Sequence, residues 1–237
     1  QHPEFGPPVD GPRGLFLLAT DTAAGKTTVA TGILALARSR GLSPLPFKPV
    51  ETGAAPDPAD ALRLRAAAGR EDIPLDLLCP HSFSLPVAPA QACQAVGLRL
   101  TSSSILASAR RLAPHGDYLL VESAGGLLTP YSDDLTGADL AAAFGLPVLL
   151  ISRNSLVTIN HTSLALAELR RRHLPLTGVL LVCTSPEKTP DQEDNPRLLE
   201  TLTGIRPLGV LPFLPLPTPE NVAAALLTAI RPEILFP

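Results

Sequence analysis

An apolar run, Leu15-Phe16-Leu17-Leu18-Ala19, stops at a small and polar loop, Thr20 to Ala24, and the loop ends at Gly25-Lys26-Thr27, which opens an alanine-rich run from Val29 to Arg40. Buried strand, tight loop and helix in that order leave unpaired backbone N–H groups and a partial positive charge at the helix start. Such a helix end holds phosphate. Gly25 lets the backbone come close, Lys26 reaches the β and γ phosphates, and the Thr27 hydroxyl is a ligand for Mg²⁺. Thr20 stands where the strict phosphate-loop pattern has glycine, so the strand–loop–helix context carries the reading.

The same alternation continues. Strands are expected at Leu45–Val50, Tyr118–Glu122, Pro147–Ser152, Gly178–Cys183 and Pro207–Leu211. Helices are expected at Ala59–Ala68, Thr101–Leu112, Thr136–Phe144, Asn160–Arg172, Pro196–Leu202 and Pro219–Ile230. Ile73 to Val96 is proline-punctuated and irregular, with a short helix near Ala90–Ala95, and Ser185–Asn195 reads as a polar loop. Alternating strands and helices predict an α/β fold with a mainly parallel sheet covered on both faces. The chain length of 237 residues suits one such domain, over 13–237. Residues 1–12 are rich in Pro and Gly and are expected to be a flexible N-terminal segment.

Parallel sheets bind ligands at the carboxyl ends of their strands, which singles out particular side chains. Glu122 ends an apolar strand, where it is either a Mg²⁺ ligand or a solvated acid. Lys48 is either a cation for a transferring group or a snorkelling surface lysine. Asp60 is a first-turn acid or a metal ligand. Gly125 and Gly126 permit close approach to the backbone. Asn160 is an N-cap, or it marks a helix start that holds an anionic substrate group. The net charge of −3 makes no electrostatic case for nucleic acid or an anionic membrane, and no apolar run reaches the ~20 residues of a membrane span. Cys79, Cys93 and Cys183 are scattered, without metal-ligand spacing, and read as reduced, buried thiols of a cytoplasmic protein.

Taken together, these residues resemble the dethiobiotin synthetase family from about Gly14 to Ala225. The marks are Thr20-Asp21-Thr22 with Gly25-Lys26-Thr27, Lys48-Pro49-Val50-Glu51-Thr52-Gly53, and Asp60-Ala61-Leu62. Further on come Val121-Glu122-Ser123-Ala124-Gly125-Gly126, Thr129-Pro130 with Asp139, Ile159-Asn160-His161, and Pro219-Glu220-Asn221. The resemblance implies a P-loop NTPase-like fold, a cytoplasmic homodimer, and the use of ATP, Mg²⁺, CO₂ and 7,8-diaminopelargonic acid in biotin synthesis. It implies catalytic roles for Lys26, Lys48, Thr22 and Thr52, and metal binding by Thr27, Asp60 and Glu122. Nucleotide contacts would come from Thr20, Asp21, Ala23, Ala24, Gly25, Lys26, Thr27, Thr28, Glu122, Gly125, Gly126, Pro212, Glu220 and Asn221. The substrate carboxylate would dock at Val157, Thr158, Ile159 and Asn160 of the neighbouring subunit.

Departures from the family pattern are Ala19, Ala23, Ser123 in place of glycine, and Val182-Cys183-Thr184-Ser185 where many members have an Asn-Asp that reads adenine. The nucleotide is therefore expected to be ATP or another nucleoside triphosphate. The alternatives are a partitioning-type switch ATPase, against which the absence of lysine in Thr20–Ala24 counts, another carboxylate-activating P-loop ligase, and a nucleotide-binding module without turnover.

Overall fold

The structure, a computed structural model, describes residues 13–237; the segment 1–12, expected to be flexible, lies outside the described residues. In chain order the elements begin with β1 (Arg13–Ala19), α1 (Lys26–Ser39), β2 (Pro44–Phe47), β3 (Val50–Thr52), α2 (Ala59–Ala68), α3 (Leu75–Leu78) and β4 (His81–Phe83). There follow α4 (Pro89–Ala95), α5 (Ser102–Leu112), β5 (Tyr118–Glu122), β6 (Pro130–Ser132), β7 (Leu135–Thr136), α6 (Gly137–Phe144) and β8 (Val148–Arg153). The chain closes with α7 (Thr158–Arg171), β9 (Leu176–Val182), α8 (Pro190–Thr203), β10 (Gly209–Leu211) and α9 (Pro219–Ala229).

Six strands form one sheet in the order β10-β9-β8-β1-β5-β2, and every pairing in it is parallel. β1 lies at its centre and is buried on both faces, which is why its sequence is an unbroken apolar run instead of an alternating one. Leu15, Leu17 and Ala19 pack with α1, α2 and α9, whereas Phe16 and Leu18 pack with α5, α6 and α7. Helices α1 and α9 meet closely at Gly32, where an added Cβ would come within 2.5 Å of Val222 Cγ1. No helix among the described residues is long and apolar enough to cross a membrane.

Three expectations change. The strand read as Leu45–Val50 is two strands. β2 pairs with β5 at the edge of the main sheet, and after Phe47 the chain leaves it, so β3 pairs with β4 in a separate two-stranded sheet. The Lys48 N–H already turns to the Leu78 carbonyl (2.9 Å) and Pro49 has no N–H to give, so the main ladder ends there.

The polar stretch read as a loop over Ser185–Asn195 becomes helix from Pro190 onward. Proline suits the first helical position, and the Gln192 side chain returns to the Thr189 N–H at 3.4 Å. Pro196 then sits inside the helix, where it cannot donate to the Gln192 carbonyl. Asn154 Nδ2 donates to that carbonyl instead, at 3.0 Å, so a distant side chain makes the interior proline tolerable.

Helix α7 starts at Thr158, not Asn160. The Thr158 hydroxyl accepts from the Ser155 N–H at 2.7 Å and donates to the Arg153 carbonyl. Asn160 therefore lies within the first turn and is not the N-cap.

Candidate active site

The carboxyl ends of β1, β5 and β8 bring three loops together. After Ala19 the chain turns through Ala23, at φ 58°, and Gly25, at φ 99°, before α1 begins. Gly25 is required twice over: its φ is left-handed, and a Cβ would meet Val182 Cγ1 at 2.9 Å. Ala23 takes the same left-handed region without glycine's freedom. The Arg153 guanidinium donates to the carbonyls of Thr22 (3.4 Å) and Ala23 (3.1 Å) and so holds that turn. The first bond closing α1 runs from the Val29 N–H to the Gly25 carbonyl, which leaves the N–H groups of Lys26, Thr27 and Thr28 unbonded within the helix, as at any helix start.

Lys26 is buried, and its Nζ donates to the Gly125 carbonyl at 2.6 Å. Burial lowers its pKa to about 8, with Glu122 acting in the opposite direction. Thr27 Oγ1 donates to Glu122 Oε1 at 2.7 Å. Lys48, carried on the chain between β2 and β3, donates to the same Glu122 oxygen at 2.7 Å and to Asp60 Oδ2 at 2.8 Å. Burial acts to lower the Lys48 pKa, but Glu122 and Asp60 outweigh it and hold the ammonium above the ordinary lysine range. Burial likewise acts to raise the Asp60 pKa, and Lys48 outweighs it. Glu122 is 1% exposed, and its second oxygen, Oε2, has no hydrogen-bond partner.

An unpartnered buried carboxylate oxygen is costly. Here it lies on the acid that also meets Thr27, with Asp60 on the other side of Lys48. This is a hard-oxygen donor set of the kind that suits Mg²⁺, which binds through one or two carboxylates together with phosphate oxygens. Among the described residues no group of three or more His, Cys, Asp or Glu could hold a metal alone.

These residues wall a cleft of about 440 Å³. Thr22, Ala23, Gly25, Lys26, Thr27, Thr28, Lys48, Asp60, Glu122 and Gly125 line it, and Val182, Cys183, Pro212 and Phe213 complete the wall, with Val182 packed close to Gly25. A second cavity of about 440 Å³, walled by Lys188 and Gln192 among others, shares Cys183, Pro212 and Phe213 with it. Thr20, Asp21 and Gly126 face a different pocket, together with Thr22, Leu128 and His161. Val157 and Thr158 meet Thr20, Asp21 and Arg153 in a small cavity beside it.

Ala24, Thr52, Glu220 and Asn221 are not part of the cleft wall, whereas Ser123 and Cys183 are. Ala24 is wholly buried, so only its backbone is available. Thr52 lies in β3 beside Phe83. Glu220 faces a groove between α1 and α9. Asn221 donates to the Leu216 carbonyl at 2.9 Å and pins the loop after β10. Ser123, a departure from the family pattern, is buried, and its hydroxyl donates to the Leu17 carbonyl at 2.9 Å. Cys79 and Cys93 are buried free thiols, and Cys183 is half-buried.

Three residues with evident roles in the geometry went unassigned in the sequence. Arg153 directly follows the strand expected at Pro147–Ser152, but nothing local says that it crosses to the Thr22–Ala23 turn. Arg63 lines the cleft one helical turn after Asp60, and that spacing was a readable signal. Glu51 stood inside a quoted motif, yet its partners lie on another element.

Comparison with known proteins adds the family. A family model described as an AAA domain matches residues 13–221. The ATP-dependent dethiobiotin synthetase BioD of Anaeromyxobacter dehalogenans (strain 2CP-C) is 44% identical over 204 residues, which cover 86% of this chain and 91% of the relative. That of Bacillus thuringiensis (strain Al Hakam) is 34% identical, covering 84% and 83%. A solved structure of a putative plasmid partition protein from Borrelia burgdorferi B31 bound to AMPPNP superposes with a TM-score of 0.54 at 15% identity, covering 92% of this chain and 99% of that one. That likeness extends to the fold alone, a P-loop NTPase-like α/β domain. Identity at this level over most of both chains shows that the chain belongs to the ATP-dependent dethiobiotin synthetase family.

Proposed function

We propose that this protein closes the ureido ring of dethiobiotin from 7,8-diaminopelargonic acid and CO₂, using ATP and Mg²⁺. Family membership supports the reaction. The observation that carries the site assignment is the convergence of Lys26, Thr27, Lys48, Asp60 and Glu122 on one cleft, with a Glu122 oxygen left unpartnered.

In this reading one amine of the substrate takes up CO₂ and becomes a carbamate. A carbamate oxygen attacks the γ-phosphorus of ATP, the bond to the β-γ bridging oxygen breaks, and ADP leaves. The second amine attacks the carbonyl of the resulting mixed anhydride, the ring closes, and phosphate departs with the electron pair of its C–O bond. Lys26 holds the phosphates at the α1 start. Lys48 stabilises charge on the carbamate and the transferring phosphoryl group. Thr22, in the cleft wall, contacts the reacting groups; the family resemblance gives Thr52 the same role, from β3 outside that wall. Thr27, Asp60 and Glu122 would hold Mg²⁺, which would supply charge neutralisation for phosphoryl transfer.

The base and ribose extend along Val182, Cys183 and Pro212, with Glu220 and Asn221 supporting that end from α9. A homodimer in the cytoplasm completes the reading, with the substrate carboxylate bound by Val157, Thr158, Ile159 and Asn160 of the second copy. The apolar side chains before that helix start support a second copy there: Leu156 is 82% exposed and Val157 48%.

The test is phosphate release from ATP, Mg²⁺ and bicarbonate, with and without the diamine. Release that requires the diamine is the expected result, and repeating it with CTP and GTP measures base choice. Release without the diamine would sink the synthetase assignment in favour of a switch ATPase. Nucleotide binding with no release under either condition would mean a module without turnover.

A further inference from the structure

Helix α2 carries Asp60 in its first turn but has no cap of its own. Its N-cap is Pro58, which offers no side-chain hydrogen bond to the first-turn N–H groups. The connection before it, Gly53 to Pro58, is largely exposed. Glu51 supplies the missing acceptors from β3. Its Oε1 accepts from the Asp60 N–H and its Oε2 from the Ala61 N–H, both at 2.9 Å, and the side chain is 6% exposed. An ionised carboxylate on two free N–H groups at a helix start is among the stronger hydrogen-bond arrangements. Lys48, three residues before Glu51, takes the Asp60 side chain at 2.8 Å. One short segment therefore grips Asp60 twice, by its backbone and by its carboxylate.

We propose that Glu51 is a positioning residue for the metal site: its carboxylate seats the first turn of α2 and so sets where Asp60 stands relative to Thr27 and Glu122. The inference rests on the reading of Asp60 as a Mg²⁺ ligand. Groups that orient metal ligands commonly control affinity by about 10- to 100-fold. Glutamine at position 51 keeps one acceptor but presents an NH₂ group to the other N–H, so it disturbs the seat at nearly constant volume.

The experiment measures Mn²⁺ affinity by the EPR signal of free Mn²⁺, with the full chain in the presence of AMPPNP. The proteins are the parent, Glu51→Gln, Glu51→Ala, Asp60→Asn, and Glu51→Gln combined with Asp60→Asn. Metal-free AMPPNP affinity and Tm are measured alongside. The expected result is that Glu51→Gln weakens Mn²⁺ binding by about 10-fold, with metal-free AMPPNP affinity unchanged. Glu51→Ala does so at least as much. Glu51→Gln has no further effect once Asp60 is asparagine, because it acts through Asp60.

Unchanged Mn²⁺ affinity in both Glu51 variants, with a loss in Asp60→Asn, overturns the positioning role and leaves the metal reading standing. Equal additive losses in the double variant, or parallel loss of metal-free nucleotide binding, also overturn it, since Glu51 would then be loosening the fold generally. Unchanged affinity in Asp60→Asn removes the metal reading and this proposal with it. Should Glu51→Ala fail to fold, the near-isosteric Glu51→Gln still decides the matter.

Discussion

Two charged clusters, one in the cleft and one between α6 and α7, are built from the same residue types and are finished to different degrees. At the packing of α6 on α7, Asp139 receives the Thr136 N–H at 2.8 Å, the Thr136 hydroxyl, and Arg172. Glu168 receives Arg171 at 2.7 Å on each of its oxygens and Arg172 at 2.6 Å. Every carboxylate oxygen there has a donor. In the cleft, two donors crowd one oxygen of Glu122 while the other has none, and the single ammonium of Lys48 is shared by two carboxylates. The cleft is also the more deeply buried of the two. A satisfied cluster at partial exposure holds elements together. A buried cluster with an unpartnered carboxylate oxygen is costly by itself, and low dielectric raises that cost.

The largest effects that could break this comparison are in the cleft. Lys26→Ala should lower diamine-dependent turnover by at least ~10²-fold, the scale of losing one electrostatic contact to a developing charge. Lys48→Ala should lower it comparably while nucleotide affinity stays within about threefold, because its contacts concern the reaction more than binding. A Lys48 variant that lost only affinity would show its assigned role to be wrong. Glu122→Gln should raise the Mg²⁺ concentration for half-maximal turnover by about 10-fold or more. An unaltered Mg²⁺ requirement would mean that the empty oxygen marks no metal site.

In the α6–α7 cluster the effects should be smaller and of another kind. Arg172→Ala should cost about 1 kcal/mol, as partly screened ion pairs do, lowering Tm by roughly 2–4 °C, with turnover within about threefold. A collapse of turnover there would erase the distinction between the clusters.

The smallest expected effect is in acid. The hydrogen bond from Arg171 lowers the Glu168 pKa to about 2, against the opposing effect of burial and with help from Arg172. Its folded pKa lies below the ordinary 4.5, so the stability it contributes is present above pH 4.5 and is lost as the pH falls through about 2. Glu168→Gln should flatten the decline in Tm over that window. An unchanged acid limb would mean that this pair contributes nothing measurable.

Much of the site could be read along the chain because its parts are local. The turn from an apolar strand into Gly25-Lys26-Thr27 needs only neighbouring residues, and an acid ending the apolar run at Glu122 announces a strand end. The parallel α/β architecture followed from runs of β-branched and leucine residues alternating with helical patterns. Readings failed where a distant partner decided the outcome. Pro196 looked like a helix start because proline belongs there, but Asn154 supplies the donor that lets it sit within α8. Lys48 and Asp60 each had two plausible readings until the fold put Nζ and carboxylate 2.8 Å apart.

The sequence by itself determined that this chain presents a Gly-Lys-Thr helix start at the carboxyl end of a buried parallel strand, since backbone geometry and apolar burial are set by residues within a few positions of one another. The tertiary structure alone decided which carboxylates meet which cations, that Arg153 supports the Ala23 turn, and that Glu51 caps a helix it does not precede. Those contacts join elements whose side chains are short in range and whose separation along the chain carries no information about their distance in space.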